Sequence, residues 1–392
     1  MKLSINTRYK AMQGLFWMLF CVSSGFISLY LQGRGLGNAA IGSVTAFFGI
    51  LAAFFQPLLG GITDQSSRLT WRRMILILAI PYLLICIAMP LIPGAWAGAL
   101  FMGLLILLGN TIMPFINSAH FYYSHAGEYV NFGVARGIGS GLYAFFALLI
   151  GFLVERFGIE MVPISGILIG VLFIVVVSRM PPLKETIAEA PRENKLQKGF
   201  LLRYPSFTFM LLACLLMLTT HNIVNTYLLQ IIQSLGGNSS QLGIALAIQA
   251  VVEVPVLFGF SKLLKRFRPS SLMLTAAIGF VLKALLYAMS SSVFMVYFIQ
   301  LAQMISFALF VSASVFYTSE IMAKADQNTG QAYMTSMIAA GTVLGSLSGG
   351  WMLELSGMTT MLAVNVIIAL VGVGFALISI KHKGLPQQKA AA

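Results

Sequence analysis

Two side chains in this sequence sit where charge is expensive. Glu253 lies inside AIQAVVEVPVLFGF, residues 247–260, and Lys283 lies inside GFVLKALLYAM, residues 279–289, both stretches otherwise suited to hydrocarbon. A charged group at bilayer depth costs about 2.5–3.5 kcal/mol even on insertion scales, so a chain that keeps one gives it a partner and a task. Lys283 lies too deep to snorkel comfortably to an interface, which favours pairing. An ion pair between the two helices, or an alternation between paired and protonated states, is the chemistry these residues offer. A movement that separates an acid from a cation can take up or release a proton.

Amides and hydroxyls accompany the two charges. TTHNIVNTYLLQIIQ places Asn222, Asn225, Gln230 and Gln233 within one helical arc, which is expected to face a cavity. GNTIMPFINSAHFYY sets Asn110 and Asn117 seven residues apart on one face, with Pro114 between them to bend the helix. Gln249 precedes Glu253 by one turn, and Gln300, Gln303 and Ser306 follow at three-residue steps. Between apolar helices such groups either glue helices together or line a water-filled cavity, and for any single amide both readings stay open.

Other chemistries lack their residues. There is no HExxH, and His120, His125 and His221 have no companion at ligand spacing, while His382 falls in the tail, so no metal or cofactor is expected. Cys21, Cys86 and Cys214 lie within apolar stretches at spacings that suit neither a metal site nor a disulfide framework. ARGIGSGLYAF and AAGTVLGSLSGG have no preceding strand and no following Lys-Ser/Thr, so they are not phosphate loops. Their small residues at one-turn intervals instead permit helices to approach closely and slide.

The elements that must position these residues are membrane spans. Of 392 residues, 58% are hydrophobic and 9% charged, with a mean hydropathy of +0.90, which marks an all-α integral membrane protein. About twelve apolar runs of bilayer length are expected, near 11–31, 39–61, 74–93, 96–124, 134–154, 159–179, 206–235, 240–261, 271–290, 292–318, 330–353 and 358–380. The first run lacks a small-residue cleavage site and is read as a retained helix. The net charge of +13 would suit a nucleic-acid partner, but its placement does not. Basic clusters precede the first span and follow the second, sixth, eighth and last, whereas the opposite loops hold only Arg34 and Arg156. By the positive-inside rule both termini are cytoplasmic, and the bilayer is the partner. The longest polar segment divides the spans six and six, giving halves 1–180 and 206–392 joined by a cytoplasmic linker, 181–205. That is the layout of transporters built from parallel repeats, with a solute site at midplane between the halves.

Two stretches carry a resemblance. FFQPLLGGITD, residues 54–64, and NFGVARGIGSGLYAF, residues 131–145, resemble the major facilitator superfamily, and within it the oligosaccharide and nucleoside proton symporters typified by lactose permease. The resemblance implies two six-helix bundles. It makes Gly60 and Asp64 a loop motif acting as a conformational switch, with the accompanying basic residues displaced to Arg72 and Arg73. It places Arg136 and Tyr143 where an arginine and an aromatic ring hold a sugar, a guanidinium fork and a ring face being apt for a pyranose. Asn117 and Ser118 stand where those symporters pair an acid with that arginine. Glu253 takes the place of a glutamate that meets both sugar and proton, Lys283 that of an arginine, Gln303 and Ser306 those of a histidine and a glutamate, and Asn222 and Asn225 those of aspartates. Arg136, Tyr143, Asn117, Ser118, Asn222, Asn225, Glu253 and Gln303 are thus the expected solute contacts, and Glu253 with Lys283 the proton-coupling pair. The expectation is a monomeric inner-membrane secondary transporter, not an enzyme. It would carry a polar neutral solute (sugar, glycoside, oligosaccharide or nucleoside) by proton symport. An exporter of amphiphilic compounds, a uniporter and a sugar sensor on the same fold are the alternatives.

Overall fold

The computed structural model describes residues 4–66, 69–181 and 199–381, and among these the chain is helical, with no strand. Most of the expected linker, residues 182–198, lies outside the described residues, as does the tail from residue 382.

Several helices begin where a short polar side chain accepts a hydrogen bond from a free amide of the first turn. Thr70, Asn131 and Ser292 do this for Arg73, Val134 and Met295, and Asn238 forms a reciprocal capping box with Gln241. Pro205 and Pro269 open two others, at positions where a missing N–H costs nothing.

In chain order, α1 comprises Ile5–Phe20, a π turn at Cys21–Gly25 and, after Phe26, Ile27–Gly33 departing at 47°. There follow α2 (Asn38–Gln65), α3 (Trp71–Leu91), α4 (Ala95–His125), α5 (Phe132–Phe157) and α6 (Met161–Ser178). In the second half α7 comprises Pro205–Thr226 and Leu228–Ser234, followed by α8 (Ser239–Leu264), α9 (Pro269–Ala288) and α10 (Val293–Ile321, with a π turn at Met304–Ala308). The 55-residue helix Gln327–Lys381 leaves helical geometry only at Gly357 (φ 80°, ψ 175°), a conformation open to glycine, and so forms α11 (327–356) and α12 (358–381). Among the described residues ten helices are individually long and apolar enough to cross a bilayer; α1 taken as one bent span and the division at Gly357 bring the total to twelve.

Within the first bundle α1 packs on α5 and α6, α2 on α4, and α3 on α4 and α6. Within the second, α7 and α9 pack on the α11–α12 pair, and α9 also on α10. The bundles meet where α5 faces α8 and α2 faces α11. Large apolar side chains such as Phe54, Leu58, Trp96, Leu168 and Leu355 are exposed on the outer surface, where lipid replaces water.

The structure also reveals an internal repeat at residue level. Helices α1 and α7 both break at an aromatic residue, Phe26 and Tyr227, and both resume as seven-residue segments. LQGRGLGNAAIG (31–42), leading into α2, then corresponds to IQSLGGNSSQLG (232–243), leading into α8. GFLVERFG (151–158), ending α5, corresponds to GWMLELSG (350–357), ending α11.

Candidate functional site

The first bundle builds its part of the site on α1. Tyr9, Gln13 and Trp17 recur every fourth residue and therefore share one face. Gln13 Nε2 donates to Tyr9 Oη at 2.9 Å and to Asn117 Oδ1 at 3.4 Å, and Trp17 Nε1 donates to Gln13 Oε1 at 3.2 Å. The guanidinium of Arg136 lies 3.8 Å from the Trp17 ring centroid and donates to Ser140 Oγ at 2.9 Å. Stacked and hydrogen-bonded, it is fixed before any solute arrives. The Tyr143 hydroxyl meets Gly25 and Cys21 at the π turn of α1. Ser118 donates back to Phe115 O at 3.2 Å. Tyr9, Gln13 and Trp17 escaped the sequence reading, although their four-residue spacing in TRYKAMQGLFW was a visible signal.

In the second bundle the expected Glu253–Lys283 ion pair needs correcting. Lys283 Nζ donates to Gln303 Oε1 at 2.5 Å, and Gln303 Nε2 donates to Glu253 Oε1 at 2.9 Å, so a glutamine stands between acid and base. Gln303 is fully buried, and both ends of its amide are engaged by these two contacts. The local geometry follows from Gly279, where an added Cβ would stand 2.4 Å from Ile305 O: only a bare α-carbon lets α9 lie this close to the π turn of α10. Lys283, one turn further along α9, then reaches Gln303. Arg136 and Glu253 lie on α5 and α8, the helices that face each other across the interface, with no ion pair between the two.

The α7 amides divide. Asn225 Nδ2 meets His221 Nε2 at 2.8 Å while its Oδ1 accepts from Gln249 Nε2 at 3.1 Å, and Asn222 donates to Leu218 O at 2.8 Å and lies against Gly345 of α11. Gln230 and Gln233 do not continue this arc, as had been expected, because the helix breaks at Tyr227 (φ −107°, ψ 22°). They reach the other bundle instead, Gln230 Nε2 toward Asn38 Oδ1 at 3.3 Å and Gln233 Oε1 accepting from Gln32 Nε2 at 3.1 Å.

Those contacts belong to a closure at the end of the molecule opposite the termini. Tyr227 Oη donates to Ser346 O at 2.7 Å. Glu155 Oε2 accepts from Ser239 N at 3.2 Å and Ser239 Oγ at 2.5 Å, and Glu354 Oε2 accepts from Ala39 N at 2.7 Å. Each carboxylate ends a repeated Gly-x-x-x-Glu segment, and each meets free amides at the start of a helix in the other bundle, where a negative charge is favoured. Among the described residues every hydrogen bond between the bundles lies at this end. At the other end Asp64 is exposed and Gly60 has open space around it, while Arg72 Nη1 donates to Met180 O at 2.6 Å within its own bundle; Arg73 is exposed. Gly60, Asp64 and Arg72 therefore show no hydrogen bond across the bundles among the described residues. Among the described residues no group of three His, Cys, Asp or Glu side chains converges on a metal position.

Comparison with known proteins agrees with this architecture. The model of the MFS_1 like family matches residues 7–363. A maltose permease of Geobacillus stearothermophilus is 26% identical over 352 residues, which cover 87% of this chain and 86% of the permease. The crystal structure of the nucleoside transporter NupG superimposes with a TM-score of 0.82 at 15% identity, covering 98% of this chain and 100% of that one. A bacterial homolog to the human lysosomal transporter Spinster, inward-facing and unoccupied, gives 0.70 at 14% identity over 96% of each chain.

Proposed function

The chain belongs to the MFS_1 like family of major facilitator transporters, and from that premise we propose that it carries a polar, uncharged, hydroxyl-rich solute of the sugar, glycoside or nucleoside class by proton symport. One observation carries the reading. Arg136, stacked on Trp17 in one bundle, stands opposite Glu253, held by Gln303 in the other, with the Asn117 and Asn225 amides nearby. A guanidinium fork, a carboxylate, amides and aromatic rings are the groups that bind adjacent hydroxyls and the apolar face of a sugar ring. The 26% identity to a maltose permease supports the same class.

Glu253 is the proton carrier in this reading, and Lys283, reaching it through Gln303, sets its charge balance. The monomer sits in the cell inner membrane with both termini in the cytoplasm, which puts the closure on the external side. Halves 1–180 and 206–392 then rock about the central site, joined by the segment 181–205. Counterflow in proteoliposomes with maltose, larger glycosides, nucleosides and a lipophilic cation tests the proposal. Counterflow of a glycoside or nucleoside is expected, together with net uptake of the same solute that dissipates an imposed proton gradient; counterflow of the cation alone would overturn the proposal.

A further inference from the structure

A second polar site lies inside the C-terminal bundle, away from the interface. Thr220 and His221 of α7, Lys283 of α9 and Asn365 of α12 line one cavity together with Val224, Phe280 and Ala284. All four polar residues are at most 6% exposed. Thr220 Oγ1, His221 Nδ1 and both amide atoms of Asn365 are buried without a hydrogen-bond partner among the described residues. A buried polar atom left unpaired is destabilising, and three such residues from two helices around one space are not a scatter of accidents.

The hydrogen-bonding polarity of the cavity can be read from its surroundings. Gln249 donates to Asn225 Oδ1, which orients the Asn225 amide so that its Nδ2 donates to His221 Nε2. In this amide orientation His221 Nε2 is the acceptor nitrogen, and the ring proton of the neutral imidazole sits on Nδ1, the unpartnered atom. The cavity thus offers donors in His221 Nδ1–H and a Lys283 N–H and acceptors in Thr220 Oγ1 and Asn365 Oδ1, with the Thr220 hydroxyl hydrogen and Asn365 Nδ2 as further donors. Its volume open to the centre of a water-sized sphere is about 10 Å³. That is room for about one water, which accepts twice and donates twice.

We propose that this cavity binds a single structural water, and that through it His221, Thr220 and Asn365 are positioning residues for Lys283. The hydrogen bonds then form a ring. It runs from Glu253 through Gln303, Lys283, the water, His221 and Asn225 to Gln249, which lies one turn from Glu253 on α8. Lys283 is held from both sides, and its distance from Glu253 is set by α7 and α12 as well as by α10. The hydration site does not depend on proton symport; only the functional weight of the ring rests on that reading.

The test uses the sign of a stability change. Asn365→Leu and Thr220→Val keep side-chain shape while removing polar atoms. If those atoms were unpaired in a dry cavity, their removal would leave the melting temperature of the purified full-length protein unchanged or raise it. If they hold a water, removal strips it of partners, and both variants should melt about 2 °C or more below wild type. Either variant at or above wild type overturns the proposal. Should a variant fail to accumulate folded, a high-resolution map of the wild-type protein decides: one spherical peak within reach of Lys283 Nζ and Asn365 supports it, and a featureless cavity overturns it. An anomalous peak there after bromide exchange would identify an anion and overturn the water. None of these readouts involves transport, so they stand apart from any failure of the symport reading.

Discussion

The closure between the bundles rests on glycines that admit no side chain, so Gly243→Ala and Gly42→Ala should open it. A Cβ on Gly243 would stand 2.4 Å from Ala147 O, and one on Gly42 would stand 2.2 Å from Ser346 O and 2.4 Å from Tyr227 Oη. Ordinary carbon–oxygen contacts begin near 3.3 Å, so α8 must retreat from α5, or α2 from α11, by roughly 1 Å. The carbonyls are helix backbone and cannot rotate away. Overpacking of this kind costs about 1–3 kcal/mol, which shifts the balance between closed and open states about 5- to 150-fold. Alanine is also the better helix former, so lost helicity cannot explain the effect. Thr45, buried one turn beyond Gly42 on α2, serves as the reporter. In a Thr45→Cys background, reaction with a membrane-impermeant maleimide applied outside intact cells should accelerate by that factor when either glycine is replaced. An unchanged rate in both variants would refute the assignment of these glycines to a closure that faces outward as proposed.

Three further expectations concern single side chains. Arg136→Lys loses both the fork and the stack on Trp17, and a charged hydrogen bond worth about 1.5–3 kcal/mol predicts a solute Kd raised about 10- to 150-fold; calorimetric titration at wild-type affinity would remove Arg136 from the site. Glu253→Gln should abolish accumulation driven by a proton gradient while solute exchange continues, and accumulation that survives would place coupling elsewhere. Glu155→Gln and Glu354→Gln each remove a charge facing a helix start worth about 0.3–1 kcal/mol, so the same maleimide assay should show about 2- to 5-fold acceleration for each. The two effects should multiply, because the carboxylates sit at separate interfaces.

The spans were legible because a bilayer crossing demands an apolar run, and the basic clusters fixed their number independently. Positions within the site were less legible, for identifiable reasons. Trp17 reads in sequence as one more lipid-facing aromatic, and only the approach of α5 to α1 reveals that it carries Arg136. Gln303 sits at the right spacing but gives no sign that it separates Glu253 from Lys283, since that depends on a π turn and on the bare backbone of Gly279. The break at Tyr227 moved Gln230 and Gln233 from an expected cavity wall to the closure; no glycine or proline marks it, because tertiary contacts of the Tyr227 hydroxyl hold it. Asp64 and Gly60 show no hydrogen bond across the bundles among the described residues, where the bonds between the bundles lie at the opposite end.

The two halves keep their likeness where they close and lose it where they bind. At the closure Gln32 corresponds to Gln233 and bonds it directly, Gly42 corresponds to Gly243, and Glu155 to Glu354. A contact between equivalent residues marks the pseudo-two-fold axis, and contacts repeated about that axis break together when one bundle turns against the other, which keeps opening from jamming on one side. Deeper along the same helices the correspondence fails. In the registers fixed at the closure, Glu253 of α8 falls opposite Ala52 of α2, and Arg136 of α5 opposite Thr335 of α11. Repeating the acid and the guanidinium in both bundles would crowd like charges into one low-dielectric space. With the acid in one bundle and the guanidinium in the other, a solute bound as proposed would bridge unlike groups. Closure around it then answers to the solute, while the closure described here answers to the repeat.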